Sequence, residues 1–88
     1  MNTIKVASVQ FNHKPGDKEF NLEKIREFSA AAASEKVGLL VFPEMCITGY
    51  WHVRNLSKSE VELLAEPVPE GSSTRELLAL SAQYNITI

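Results

Sequence analysis

A short apolar run that halts at a proline is the feature that most constrains this chain. Leu39-Leu40-Val41-Phe42 reads as a buried strand, and Pro43 ends it. Proline fixes its own φ and carries no N–H, so a sheet ladder cannot pass normally through it. Phe42, as the residue before proline, is held extended. Glu44 therefore leaves the carboxyl end of a strand on a stiff stalk, with Met45, Cys46 and Ile47 as its next neighbours. This predicts that the carboxylate enters apolar surroundings. Such surroundings disfavour the charged form, which is how a glutamate becomes a general base near neutral pH. Thr48-Gly49-Tyr50 should turn the chain and bring an aromatic close to the carboxylate.

Upstream, Ile4-Lys5-Val6-Ala7-Ser8-Val9-Gln10-Phe11 reads as a first strand. Apolar residues fall on both of its faces, as expected when both faces of a sheet are covered. Asn12-His13-Lys14-Pro15-Gly16-Asp17 has the chemistry of a loop. Asp17 suits an N-cap, and Glu19 in the first turn suits the helix dipole. From Lys18 to about Lys36 the period becomes helical. Leu22, Ile25, Phe28 (or Ser29) and Ala32 form one stripe, while Glu23, Lys24, Arg26 and Glu27 supply the wet face. The Ala30–Ala33 run favours helix and a close approach to the sheet. Gly38 suits a left-handed position past the helix end. Strand, helix and strand make a βαβ unit with parallel strands and a right-handed crossover.

Downstream, Trp51-His52-Val53-Arg54-Asn55 reads as irregular. Ser57-Lys58-Ser59-Glu60 has the form of a capping box and opens a short helix to Ala65, with Val61, Leu63 and Leu64 on its buried side. Glu66-Pro67-Val68-Pro69-Glu70-Gly71 reads as a stiff, extended connection. Ser73-Thr74-Arg75-Glu76 is a second capping box, opening a helix to about Tyr84 with Leu77, Leu78, Leu80, Ser81 and Tyr84 along its stripe. Asn85 is a left-handed stop. Ile86-Thr87-Ile88 begins a third strand.

At 88 residues there is room for one small domain. A chain of this size buries only about 60–65% of its unfolded surface, which leaves it marginal alone. Two strands, the start of a third and one-sided cover imply the amino-terminal part of a longer α/β protein. A net charge of −2 provides no footprint for nucleic acid or an anionic membrane. One cysteine excludes an internal disulfide and disfavours a stapled secreted scaffold. No apolar stretch approaches the ~20 residues of a membrane-spanning helix. Met1 leads directly into a strand rather than a signal peptide, so the expectation is a cytoplasmic protein. His13 and His52 lack the spacing and companions of a metal site. No glycine-rich phosphate loop is present, and no cofactor is indicated.

Three stretches resemble one family. Phe42-Pro43-Glu44 with Thr48-Gly49-Tyr50 is similar to the first catalytic motif of the nitrilase superfamily of carbon–nitrogen hydrolases. Val6-Ala7-Ser8-Val9-Gln10 and the Asn21-Leu22 helix opening resemble it as well, and the likeness runs from Ile4 to Ile88. The resemblance implies that residues 1–88 are the amino-terminal part of one α-β-β-α sandwich domain. It implies assembly as a homodimer or larger homo-oligomer, and a small amide, nitrile or N-carbamoyl compound as substrate. In that family a glutamate, a lysine and a cysteine form a triad, and only the glutamate maps here, onto Glu44. Its matching role is to take the cysteine proton and later assist water. The family's lysine and nucleophile lie beyond residue 88.

Cys46 lies two residues from Glu44, and in an extended chain the two would share a face. The alternative is a small buried hydrophobe, which free cysteines usually are, and the family pattern agrees with that. Lys58 is the nearest lysine downstream of Glu44 but falls in the first turn of a capped helix, facing solvent. Tyr50 and Trp51, with His52, either line the pocket mouth or pack under the loop. Two other readings remain open from sequence: a non-catalytic βα binding module, and the glutamine-hydrolysing part of a larger amidotransferase.

Overall fold

The computed structural model describes residues 3–88; Met1 lies outside them. The elements run β1 (Val6–Ser8), α1 (Lys18–Ser34), β2 (Leu39–Val41), α2 (Tyr50–Arg54), α3 (Lys58–Leu64) and α4 (Ser72–Tyr84). β1 and β2 pair in parallel, with Val6 opposite Leu39, Ala7 opposite Leu40 and Ser8 opposite Val41. Val9 N–H donates to Val41 O and extends the pairing by one residue. Thr87 joins on the far side of β2 through a parallel bridge to Leu39. The order across the sheet is thus β1, β2 and the Thr87 segment, as a βαβ start requires.

Side chains alternate across a strand. One face carries Ala7, Val9, Leu40 and Ile86 onto α1, where Ala32 and Val37 close the core. A second cluster joins Leu22 and Ile25 of α1 to Cys46 and to Leu80 of α4. The opposite face is open. Val6 is 55% exposed and Val41 47%. The expectation of a sheet covered on both sides is therefore not met within these residues, because both packed helices lie on the same side. Phe11 links the clusters, with its ring against Phe28 and edge-on to Phe42.

The helix ends separate local from tertiary control. Asp17 caps α1 by accepting from Phe20 N–H at 3.0 Å, the largest cause of its lowered pKa. Ser57 and Glu60 form the complete reciprocal capping box of α3. Asn85 ends α4 in the left-handed conformation, φ 52° and ψ 48°. Past α1, Lys36 takes the left-handed position, with φ 60°, rather than Gly38. Gly38 lies instead beneath the exposed Ile4 side chain, where a Cβ would come within 2.8 Å of Ile4 Cγ1.

Four expectations are corrected downstream. Residues 50–54 are helical rather than irregular, since the Gly49 carbonyl accepts from Val53 N–H and starts a helical turn. Leu63 is 88% exposed. It points away from the stripe because Val61 and Leu64, three apart, already share the inner face. The connection after Glu66 is a turn rather than extended, closed by Gly71 N–H donating to Pro67 O at 2.7 Å. Finally, Ser73 does not cap α4. The helix begins at Ser72, and Ser73 N–H and Oγ both donate to Glu66, while Glu76 pairs with Arg26 of α1. The cap comes from a carboxylate seven residues back.

Candidate active site

Residues 44–48 form a tight turn directly after β2. Cys46 N–H donates to Pro43 O, and Gly49 N–H to Met45 O at 2.7 Å. Met45 holds φ 55° and Gly49 φ 95°. A left-handed residue other than glycine costs roughly 1–2 kcal/mol, so the surroundings must hold Met45 there. This reversal decides where the side chains go. Cys46 turns inward, 8% exposed, against Leu22, Ile25 and Leu80. Glu44 turns outward and is exposed.

The expectation that Glu44 enters apolar surroundings is thereby corrected. Extended-chain alternation does not apply across a turn, so Glu44 and Cys46 share no face and form no dyad. Burial pushes the Cys46 thiol up, which keeps it protonated and poorly nucleophilic. Among the described residues, ion pairs join Lys5, Lys14, Lys18, Lys24 and Arg26 to other carboxylates, and Glu44 enters none of them. Apolar hollows flank the turn. One of about 320 Å³ is lined by Phe42, Cys46 and Ile47 with Leu77 and Ile88. One of about 200 Å³ is lined by Met45 and Thr48 with Val53, Val61 and Leu64. Glu44 lines neither of these.

Tyr50 and Trp51 do not pack under the loop. They are 48% and 64% exposed on α2, set edge-to-face at 5.8 Å, with the Arg54 guanidinium 4.9 Å from the Trp51 ring. Lys58 is exposed at the start of α3. His13 and His52 are half-buried at the base of the turn, each against a glycine of the opposite loop. A Cβ on Gly49 would lie 2.7 Å from His13 Nε2, and one on Gly16 would lie 2.7 Å from His52 Nε2.

Asn21, read from sequence only as part of the helix opening, has a role that the sequence reading missed. It is fully buried in the first turn of α1, and its amide bonds to both Lys14 and Ile47. A signal was present. Asn21 stands one turn before Ile25, on the apolar stripe, where an unpartnered polar group would be costly.

A strand-end glutamate on a turn seated against a βαβ core is the arrangement found here, and the chain belongs to the carbon–nitrogen hydrolase family, whose family model matches residues 5–88. Among curated proteins, a nitrilase of Pyrococcus abyssi (strain GE5 / Orsay) is 29% identical over 85 residues. That likeness covers 97% of this chain and 31% of the relative, so the chain spans about a third of the length of the curated relative it matches. Among the described residues no helix is long and apolar enough to cross a membrane.

Proposed function

We propose that the protein carrying these residues hydrolyses a non-peptide carbon–nitrogen bond in a small amide, nitrile or N-carbamoyl compound. Glu44 is the general base in this reading. It takes the proton from a cysteine thiol supplied outside residues 1–88, and the thiolate attacks the substrate carbon. For an amide, the protonated Glu44 gives that proton to the leaving nitrogen, ammonia departs and a thioester remains; Glu44, again a carboxylate, takes a proton from the water that attacks the thioester and releases the acid. A lysine, likewise outside these residues, stabilises the oxyanion. Tyr50 and Trp51 border the entrance. The single observation that carries the reading is the family match over residues 5–88.

The open sheet face, with Val6 and Val41 exposed, supports a further part of the proposal. It fits a second sheet of the same domain, completing an α-β-β-α sandwich whose added walls would also shield Glu44. Assembly as a homodimer and a cytoplasmic setting belong to the same reading.

The test is ammonia release by the full-length polypeptide from short amides, nitriles and N-carbamoyl amino acids. Glu44→Gln should lower kcat by at least about 100-fold, the usual weight of a positioned base. Full turnover in that variant rules out the assigned base. A second reading, a non-catalytic binding module, is favoured by the exposure of Glu44. It predicts no ammonia release from any of the three substrate classes.

A further inference from the structure

We infer that Asn21 is a positioning residue for Glu44, acting as the pin between the loop before α1 and the turn that carries the carboxylate. The inference rests on the reading of Glu44 as general base. Three observations carry it. Asn21 is 0% exposed, so its amide has no water to bond. Its Nδ2 donates to Ile47 O at 2.8 Å and to Lys14 O at 2.9 Å, while its Oδ1 accepts from Lys14 N–H at 2.8 Å. Both amide hydrogens and the oxygen are thus engaged, and the bond to Ile47 is made inside the Glu44 turn.

The two loops meet again next to this pin. Gly16 N–H donates to Thr48 O at 2.8 Å. The ring of His13 lies on Gly49 and that of His52, from α2, lies on Gly16, so each glycine carries a ring from across the clasp. The Asn21 amide is the buried member of this clasp, and it is anchored to a 17-residue helix rather than to another loop. Met45 sits in a left-handed conformation that local preference does not support. A turn of that kind persists only when its neighbours hold it. With Ile47 O released, α1 keeps only the apolar contact of Leu22 and Ile25 with Cys46, which has no direction, and the Glu44 carboxylate loses its fixed approach. A base displaced by about 1 Å costs about 100-fold in rate.

Asn21→Ala in the full-length enzyme should therefore lower kcat about 100-fold while KM changes less than about 3-fold. Ile86→Ala, a core truncation in the other cluster and outside the turn, should keep kcat. The deciding readout is the cycle with Glu44→Gln. If Asn21 acts through Glu44, Asn21→Ala adds little to the loss already caused by Glu44→Gln. If the two losses multiply, Asn21 has only a structural role and the inference is overturned. Should Asn21→Ala not fold, Asn21→Leu carries the same prediction, because it keeps nearly the same size and fills the site without a charge while losing both donors. Failure of the base reading looks different: Glu44→Gln itself would then be active.

Discussion

Lys18 of α1 and Glu66 of the α3–α4 connection form an ion pair at 2.6 Å that ties three parts of the chain together. The same ammonium donates to Leu64 O at the end of α3, also at 2.6 Å. The carboxylate in turn accepts from Ser72 Oγ, Ser73 Oγ and Ser73 N–H. It caps α4, a helix whose own first residues supply no side-chain cap. Lys18, then Ser73, hold Glu66 at about 2, against an ordinary value of 4.5.

This lowered value sets an acid limb on stability. A carboxyl group depressed in the folded state stabilises the protein fully above its unfolded value. That stabilisation drains away as the pH falls from 4.5 toward about 2. The contribution is about 2–3 kcal/mol, discounted for the fifth of the side chain that remains in solvent. Urea unfolding followed from pH 6 to pH 2 should show Glu66→Gln less stable at the upper end and the gap closing at the lower. An undiminished gap at pH 2 would show that the pair is not its source.

The glycines of the clasp should respond to a methyl group through their backbone. Gly16 and Gly49 hold φ +72° and +95°, where a side chain is strained whatever the space. We expect Gly49→Ala to lose about 1–2 kcal/mol, and removal of the opposing ring with His13→Ala to leave most of that loss in place. Gly38→Ala is the contrast. Its clash is with the tip of Ile4, a 63% exposed side chain that can swing aside. Thermal melting of the three variants should rank Gly38→Ala mildest.

Burial, and not hydrophobicity, should rank the leucines. Leu40 is 1% exposed in the core and Leu63 88% exposed on α3. Leu40→Ala should cost about 2–5 kcal/mol. Leu63→Ala should fall within about 0.5 kcal/mol of the parent. Denaturant midpoints measure both; a costly Leu63→Ala would mean that this side chain is covered in the full protein.

Cys46 should behave as an inert core residue. Its thiol is buried and its pKa raised by burial. A thiol reagent at pH 7 should modify it only at the rate at which the fold opens. Cys46→Ala should retain catalytic turnover. Rapid labelling of the folded protein, or lost turnover without lost fold, would return Cys46 to the site.

The residues divide by how far their partners lie along the chain. Several outcomes with a partner within about four residues were legible in the sequence, although the Gly49–Val53 and Gly71–Pro67 turns, equally local, were not. Asp17 capping Phe20, Ser57 and Glu60 forming their box and Asn85 stopping α4 follow from local chemistry, and the parallel pairing of β1 with β2 follows from the strand–helix–strand order. Tertiary structure decided the rest. Ser73 satisfies every local rule for a cap, yet Glu66 reaches its N–H first because Lys18 holds that carboxylate in place. Glu44 faces out and Cys46 faces in because the chain reverses at Met45, on a turn that Asn21, 26 residues before Ile47, bonds from the buried face of α1. A one-dimensional pattern records which residues are apolar and how they repeat. Which buried amide bonds which distant carbonyl depends on helices packed in three dimensions.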